Sequence, residues 1–292
     1  MDGYRPSTYG DRFADVYDDW YHDVSDVDAT VERVAALAGP RGGRVLELGA
    51  GSGRLAVPLA GAGLDVWAVD ASAAMLERLR AKPGGEAVHT VVDDMAELAA
   101  PELAAPGPDG GAGFAVALCA FNTLFNLTDT PAQARCLGRV AELLAPGGRL
   151  LVEAFVPPPS GEGEADDAGG DRMAGGRGGG EGDAGSGAVG RAGAGFGGVT
   201  GAVEPRHIGL DEVVLTVSRV DPAARTVIGQ HVQITEAGIR LRPWVLHYAS
   251  PEGVDQLAAV AGLRLVERHA GWRGEPFSSA SAMHVSCYAP IG

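Results

Sequence analysis

An acidic residue and three closely spaced glycines stand together early in the sequence. In VLELGAGSGR (residues 45–54), Glu47 precedes Gly49, Gly51 and Gly53, which alternate with other residues. An aliphatic run that ends in such a loop is typical of a strand that turns tightly around a ligand before a helix begins. Two kinds of ligand suit this arrangement. One is a dinucleotide, with its pyrophosphate at the helix N-terminus, and the other is a ligand that brings positive charge to Glu47.

The dinucleotide alternative has some support from the loop. Residues 51–56 fit the pattern G-x-G-x-x-A, and Asp70 follows at about the distance of a ribose-binding acid. Glu47 disfavours a dinucleotide, because a carboxylate at the end of the strand would repel a pyrophosphate. The same carboxylate suits an amino group beside a sulfonium, which is the charge distribution of S-adenosylmethionine.

Strand-like and helix-like segments alternate between residues 41 and 156, which predicts a parallel sheet covered by helices on both faces. The strand-like runs are RVLEL, LDVWAVD, AVHTVVDD, FAVALCAF and RLLVEAFV. We expect a short helix at MAELAA, after the third of them. Residues 1–40 should form N-terminal cap helices, of which the first carries an aromatic stripe and the second begins at Asp28.

The chain beyond residue 156 divides into three further segments. Residues 157–201 are rich in glycine and poor in large apolar groups, so we expect a disordered insertion there. Residues 202–249 show alternation with a period of two, which predicts a small antiparallel sheet that caps the site. Residues 250–292 should supply a helix and two closing strands of the core.

Composition and charge exclude several kinds of partner. The formal net charge of −15 disfavours nucleic acid and anionic membrane surfaces, since both carry negative charge. The three cysteines lack the spacing of a metal site, and the adjacent Asp93 and Asp94 do not make a magnesium cluster, so we expect no metal. The start of the sequence does not resemble a signal peptide, and no apolar run has membrane length. We therefore expect a cytoplasmic monomer or homodimer.

Five ordered motifs resemble those of class I S-adenosylmethionine-dependent methyltransferases of the small-molecule type. They are VLELGAGSGR, VWAVDAS, VVDDMAEL, LCAFNTLFNL and APGGRLLVEAF. The resemblance covers residues 11–156 and, less closely, 240–290. It implies an α/β fold with a Rossmann-like seven-stranded sheet, in which five strands are parallel and one C-terminal strand is inserted antiparallel. It also implies S-adenosyl-L-methionine as the cofactor.

The resemblance also assigns cofactor contacts. Asp70 would hold both ribose hydroxyls, Asp94 would accept from the adenine amino group, and Met95 would lie against the adenine ring. Tyr17, on the N-terminal helix, would close over the cofactor. The remaining expected contacts, some of them through backbone carbonyls, are Glu47, Gly49, Ala50, Gly51, Gly53, Ala71, Met75, Cys119 and Ala120.

The acceptor should bind beside the fourth strand and under the cap. Because the transferred methyl group is already activated, catalysis can come mainly from proximity and orientation, and an amine needs a positioned base less than a hydroxyl does. We expect a small or medium natural-product-like acceptor, methylated at N or O with a slight preference for N, and His247 or His22 as candidate bases. The expected acceptor contacts are Tyr9, Trp20, Asn122, Asn126, Arg242 and Trp244. An NAD(P)-dependent oxidoreductase and a non-catalytic S-adenosylmethionine-binding protein are the alternatives left open.

Overall fold

The structure is a computed structural model that describes residues 1–22, 24–39, 43–105, 113–158 and 200–291. Most of the Gly-rich stretch that we predict to be a disordered insertion, residues 157–201, lies outside the described residues. Within the described ranges, no helix combines the length and the apolar character needed to cross a lipid bilayer.

Helices and strands alternate through the first half of the chain, and strands dominate the second half. The helices are α1 (Thr8–Phe13), α2 (Tyr17–Trp20), α3 (Val27–Ala38), α4 (Ala56–Gly61), α5 (Ala73–Ala81), α6 (Thr130–Leu143) and α7 (Pro251–Val260). The strands are β1 (Arg44–Leu48), β2 (Asp65–Asp70), β3 (His89–Val92), β4 (Phe114–Cys119), β5 (Leu144–Phe155), β6 (Thr200–Ile208), β7 (Glu212–Asp221), β8 (Thr226–Thr235), β9 (Gly238–His247), β10 (Leu263–His269) and β11 (Met283–Pro290).

One mixed sheet of seven strands, in the order β10-β11-β5-β4-β1-β2-β3, forms the centre of the molecule. Strands β1 to β5 are parallel, and β11 lies antiparallel between β5 and β10. The predicted Rossmann-like seven-stranded sheet is therefore confirmed. Every residue of β1 is buried, and successive side chains enter different apolar clusters: Leu46 and Leu48 pack on one face of the sheet and Val45 on the other. The strand order reverses between β1 and β4, which leaves a crevice at their carboxyl ends.

The other four strands form a separate antiparallel sheet in the order β6-β7-β8-β9, called the cap sheet below. The sequence pattern predicts β7, β8 and β9 but not β6, which contains Pro205. The structure places β6 at the sheet edge, where a bulge between Pro205 and His207 interrupts its pairing with β7. Proline lacks the N–H that a central strand needs, so it is tolerated at a bulged edge.

Three local expectations differ from the structure. Helix α3 is capped by the carboxylate of Asp26 and not by Asp28. The expected MAELAA helix is replaced by turns, because Asp93 accepts from the backbone N–H groups of Asp94 and Ala100 and so competes with helical hydrogen bonds. The single N-terminal helix is two short helices, α1 and α2.

Candidate active site

A cavity of about 1150 Å³ opens where the carboxyl ends of the core strands meet the N-terminal helices and the cap sheet. Ligands of open α/β sheets bind at this edge, where the strand order reverses. Most of the predicted site residues lie in its wall. They are Tyr9, Tyr17, Trp20, His22, Gly49, Gly51, Asp70, Ala71, Met75, Asp94, Met95, Asn122, Asn126 and Trp244.

Asp70 ties the end of β2 to the glycine loop that follows β1. Its carboxylate accepts hydrogen bonds from the backbone N–H groups of Gly51 and Ser72, each at 2.8 Å. Burial raises the pKa of Asp70, while the two hydrogen bonds act in the opposite direction. Each carboxylate oxygen has a further lone pair, so Asp70 can still accept from the hydroxyls of a bound diol.

Glu47, at the end of β1, lies in a smaller cavity that shares Gly49 and Tyr17 with the main one. Its side chain is 4% exposed, and Oε2 has no hydrogen-bond partner among the described residues. Burial raises the pKa of Glu47 to about 8, although the nearby Arg54 acts to lower it. A buried carboxylate with an unpaired oxygen is costly to maintain, so this pocket suits a cationic group such as an amine. Ala50 and Ala120, both predicted cofactor contacts, line the same small cavity.

Glycine is required at two positions of the loop for different reasons. Gly49 has a φ of 59°, and a Cβ there would lie 2.5 Å from Cγ2 of Thr123 in the cavity wall. Gly53 has a φ of 82°, and its Cβ would lie 2.5 Å from Leu79 on α5. Gly53 lines neither cavity. Gly49 therefore shapes the site, whereas Gly53 allows the loop to pack closely against α5.

The loop after β3 presents Asp94 and Met95 to the main cavity. The Oδ1 atom of Asp94 accepts from the N–H of Ala96 at 2.9 Å, and Asp93 accepts from two further backbone N–H groups. Carboxylates therefore hold this loop in place of a helix. With its second oxygen, Asp94 can accept from a donor such as the amino group of a nucleobase.

Two consecutive residues after β4 adopt left-handed backbone conformations, which side chains make rare. Phe121 has a φ of 46° and Asn122 one of 63°. The carboxylate of Glu153 accepts from Phe121 N–H at 2.7 Å and from the Trp272 indole at 2.9 Å. Asn122 Oδ1 accepts from Phe155 N–H at 2.7 Å. This network sets Phe121 between the two cavities, and the side-chain oxygen of Asn122, an expected acceptor contact, is used by the backbone.

The N-terminal helices contribute an aromatic wall. Tyr9 stacks on Phe13 with ring centroids 4.4 Å apart, and Tyr17 lies 4.9 Å from Tyr21. Burial raises the pKa of Tyr17 to about 12 and that of Tyr9 well above its usual value. Both phenols therefore keep their protons at neutral pH, and they can donate hydrogen bonds into the cavity.

His231 on β8 is a cavity residue that the sequence reasoning missed. Its Nδ1 lies 3.0 Å from Thr216 Oγ1, and its ring packs edge-on against Phe13 and Trp20 at 5.6 and 5.8 Å. Burial lowers the pKa of His231 to about 3, and Arg206 and Arg242 act in the same direction. The ring is therefore neutral at physiological pH. The available signal was the period of two in GQHVQIT, which puts His231 and Gln233 on one face of the strand.

Two predicted acceptor-side residues lie outside the cavity wall. The two terminal nitrogens of the Arg242 guanidinium contact Asp15 at 2.5 and 3.0 Å and Gln233 at 2.9 Å, whereas its buried Nε has no partner among the described residues. The ring of His247 contacts Thr130 Oγ1 at 2.9 Å, at the start of α6. His231 takes the place facing the cavity that we expected for His247.

Among the described residues, neither Cys119 nor a metal-binding cluster contributes a side chain to the site. Cys119, an expected cofactor contact, is fully buried in β4 and lines neither cavity. Burial raises the pKa of its thiol well above the usual range. In the part of the chain that the structure describes, no three His, Cys, Asp or Glu residues are grouped so that they could hold a metal ion.

The site thus combines three recognition elements with a second compartment. Glu47 can bind an amine, and Asp70 can bind a diol. The loop of Asp94 and Met95 can bind a flat heterocycle with an amino group. Beyond Phe121, the cavity continues to the inner face of the cap sheet, where His231 lies. An extended nucleoside that bears an amino-acid chain fits the first compartment chemically, and a second molecule can reach it from the cap side.

Comparison with known proteins gives one family. The family model described as a methyltransferase domain matches residues 45–148. The CcbJ methyltransferase of Streptomyces caelestis is 34% identical to this chain and superposes with a TM-score of 0.74. That alignment covers 99% of this chain and 100% of the other.

Two other matches are more distant or shorter. The glycopeptide N-methyltransferase MtfA, solved in complex with S-adenosyl-L-methionine, is 18% identical and covers 91% of this chain and 95% of its own, with a TM-score of 0.51. This likeness concerns the fold alone. The demethylmenaquinone methyltransferase of Thermus thermophilus is 34% identical over 120 residues, which are 40% of this chain. The match spans only 50% of the length of that curated relative.

Proposed function

The chain belongs to the class I S-adenosylmethionine-dependent methyltransferases, and from this premise we propose that it methylates an amine nitrogen of a small or medium natural-product-like acceptor. The single observation that carries the proposal is the chemistry of the cavity beyond the cofactor residues. Its wall there holds a neutral histidine of low basicity and protonated tyrosines, which suit a nucleophile that can attack without a strong base, as a neutral amine can.

The proposed cofactor contacts follow from the donors and acceptors in the wall. The unpaired oxygen of Glu47 would receive the amino group, Asp70 the ribose hydroxyls, and Asp94 the adenine amino group beside Met95. When bound, S-adenosylmethionine supplies a methyl group on a positively charged sulfur, which becomes neutral as the methyl leaves. Tyr17 would close this compartment from the N-terminal side.

The size of the main cavity supports an acceptor bound together with the cofactor. Its volume of about 1150 Å³ lies at or above the upper limit of ordinary pockets for one drug-sized ligand, which is roughly 1,000 Å³. The cap-side part is lined by aromatic and polar side chains, among them Trp20, Trp244, Arg206 and Glu212. A compact polar molecule with some apolar surface fits this mixture better than a polyanion does.

The preference for nitrogen follows from the weakness of the available base. With a pKa of about 3, His231 accepts a hydrogen bond but does not hold a proton at neutral pH. A hydroxyl nucleophile needs a positioned base to remove its proton during attack, whereas the neutral form of an amine does not. His231 and the phenol of Tyr9 would therefore orient the acceptor, and rate enhancement would come from proximity and orientation.

A methylation screen tests the proposal. The protein would be incubated with S-adenosylmethionine and matched sets of amines, alcohols, phenols and carboxylates, and products would be read by mass spectrometry. We expect methylation of one or more amines and none of the corresponding alcohols. Turnover of phenols or alcohols alone would reject nitrogen as the acceptor atom. Asp70→Ala serves as the inactive control.

A further inference from the structure

The cap sheet carries an apolar surface on the side that faces away from the cavity. Residues directly opposite each other in an antiparallel sheet point to the same side, so the strand register assigns each side chain to a face. Val213 pairs with both Ile208 and Ile234, and Ile234 in turn pairs with Ile239. The side chains that share this face, called the outer face below, include Val203, Ile208, Val213, Leu215, Val217, Ile228, Val232, Ile234, Ile239 and Leu241.

The two faces of the cap sheet reverse the usual arrangement. The inner face brings Glu212, Thr216, His231 and Gln233 to the cavity. The outer face is mainly aliphatic, although the register also places Arg219 and Gln230 on it, and Ile208 is 72% exposed, Ile239 67%, Val203 65% and Leu241 54%. Antiparallel sheets with one solvated face normally place polar residues on that face. An aliphatic outer face therefore indicates a surface that is covered by another molecule.

The size of the outer face suits a protein interface. Four strands spaced about 4.8 Å apart, each about 33 Å long, give a footprint of at most roughly 600 Å², of which the end that carries Val245 and His247 is already covered by the chain itself. Two such faces in contact would bury about 1,200 Å², which is the lower end of specific protein–protein interfaces. Exposed apolar patches on stable monomers are usually no larger than about 300–600 Å² and are then often functional.

Neither the rest of the chain nor a membrane is a good occupant. Residues 159–199, which the structure does not describe, contribute only Met173, Val189, Phe196 and Val199 as large apolar residues. These are too few to cover ten aliphatic side chains. A net charge of −15 opposes binding to anionic lipid. Edge-to-edge pairing through β6 is disfavoured because Pro205 and the adjacent bulge interrupt its hydrogen-bonding pattern.

We propose that the outer face is the interface of a homodimer, in which two copies of the cap sheet stack face to face. A second copy supplies the same aliphatic surface, so the contact is self-complementary as a two-fold interface requires. Stacked sheets lie about 10 Å apart, with side chains from both filling the space between them. The proposal concerns the surface behind the site and does not depend on the acceptor or on nitrogen as its methylated atom.

Sedimentation equilibrium tests the proposal. We expect the wild type to have twice the chain mass of 29.8 kDa at micromolar concentration. Val217→Lys and Ile239→Lys each place one unpaired charge per subunit in the contact, and we expect the dimer dissociation constant to rise by at least about 100-fold. Val260→Lys is the matched control, because Val260 is 82% exposed on α7, away from the cap sheet. Circular dichroism and S-adenosylhomocysteine binding would show that each variant is folded.

Cysteine crosslinking locates the contact. The three native cysteines are buried, so a single Ile234→Cys variant adds one accessible thiol. A flexible bifunctional maleimide should give a covalent dimer with Ile234→Cys and none with Val260→Cys, whereas a direct disulfide would need Cα atoms within about 7 Å of each other. A wild type that stays at 29.8 kDa up to about 100 μM would overturn the proposal. A dimer that neither lysine variant weakens would also overturn it, as would a monomer that floats with phosphatidylcholine vesicles.

Discussion

The core sheet and the cap sheet differ in how their sequence relates to their surroundings. The central core strands β1 and β4 are short aliphatic runs covered on both faces, and all five residues of β1 are buried, whereas β3 and β10 at the sheet edges are partly exposed. The cap strands alternate, with one face lining the cavity and the other exposed. When a parallel strand is buried on both faces, the sequence shows that all of its side chains are covered. In the cap sheet, alternation defines two faces without saying which of them faces the protein.

The two regions also differ in how their polar side chains are held. In the core, Asp70 binds the backbone of Gly51, which is 19 residues away. In the cap, Arg242 binds Asp15, which is 227 residues away. A local motif therefore locates Asp70, whereas the placement of Arg242 depends on how the N-terminal helices pack against the cap. The predictions below test this contrast between a locally determined cofactor site and a cap determined by distant contacts.

The largest expected effect is at Asp70. Asp70→Ala removes the acceptor that holds Gly51 and Ser72 and removes the proposed ribose ligand. Because hydrogen bonds to charged groups contribute about 1.5–3 kcal/mol each, we expect the Kd of S-adenosylhomocysteine to rise by at least about 100-fold. Isothermal titration calorimetry measures this directly.

Asp65 provides the control on the same strand. It begins β2 and pairs with Arg44 and His89, at the end of the strand away from the cavity. Asp65→Ala should leave the affinity within about twofold of wild type, because Asp65 lines neither cavity. Arg44 is only 7% exposed, so the variant should lose stability, and a thermal melt shows whether it is still folded at the temperature of the titration. Near-normal binding by Asp70→Ala would remove Asp70 from the cofactor site.

The second prediction concerns the pH dependence at Glu47. Its pKa is about 8 in the folded protein against a usual 4.5, so the unliganded protein loses stability as pH rises from about 4.5 to about 8. Binding of a cationic amine favours the ionised carboxylate. The affinity for S-adenosylhomocysteine should therefore increase by up to about 20-fold from pH 6 to pH 7.5, with proton release on binding.

Calorimetry in buffers of different ionisation enthalpy measures that proton release. Glu47→Gln has nearly the same shape and cannot ionise, so it should bind more weakly and show an affinity that is flat over the same pH range. A wild-type affinity that does not change between pH 6 and pH 7.5 would exclude Glu47 as the partner of the amino group.

Particular residues explain how far the sequence could predict this molecule. The seven-stranded sheet, the glycine loop, Asp70 and Asp94 follow from motifs whose partners lie close in the chain. The role of Asp93 does not follow from a motif: it holds the loop through two backbone N–H groups, because a carboxylate after a strand competes with helix formation. Glu153 was a readable signal: an acid inside an apolar strand needs partners, and these are Phe121 and Trp272.

The cap was predictable in kind but not in detail. Period-two alternation indicated antiparallel strands. It did not show which face of the sheet lines the cavity, nor how the strands pair. Both the face and the pairing register decide whether His231 or His247 meets the acceptor. The sequence did not predict strand β6, because Pro205 interrupts the alternation of apolar and polar residues. The roles of individual site residues and the division of the chain into segments stay predictions.

The third prediction compares those two histidines. His231→Ala should raise the KM for the acceptor about tenfold, because one hydrogen-bonding wall residue contributes roughly 1–1.5 kcal/mol. The affinity for S-adenosylhomocysteine should stay unchanged, since His231 lies on the cap side. His247→Gln keeps a partner for Thr130 and should leave KM and kcat near wild type. Steady-state kinetics on the acceptor found by the screen make the comparison, and a larger loss in His247→Gln than in His231→Ala would reverse the assignment.

The smallest effect is expected where the cap meets the N-terminal helices. Arg242 is 3% exposed, and its guanidinium also donates to the carbonyl of Arg12 and to Gln233, so Asp15→Asn would leave a buried cation only partly compensated. Asp15 is 47% exposed, which reduces the cost through solvent screening, and we expect a loss of about 1–2 kcal/mol in the free energy of unfolding.

That loss should lower the Tm by about 2–8 °C in differential scanning calorimetry, while Asp211→Asn, at an exposed turn, should not change it. Asp15 and Arg242 connect the cap to the N-terminal helices and not to the cofactor loops. The affinity of Asp15→Asn for S-adenosylhomocysteine should therefore stay close to wild type while the acceptor KM rises. Equal losses in cofactor and acceptor binding would mean that the cap and the cofactor site are one cooperative unit, because damage at the cap would then reach Asp70 and Glu47 as well.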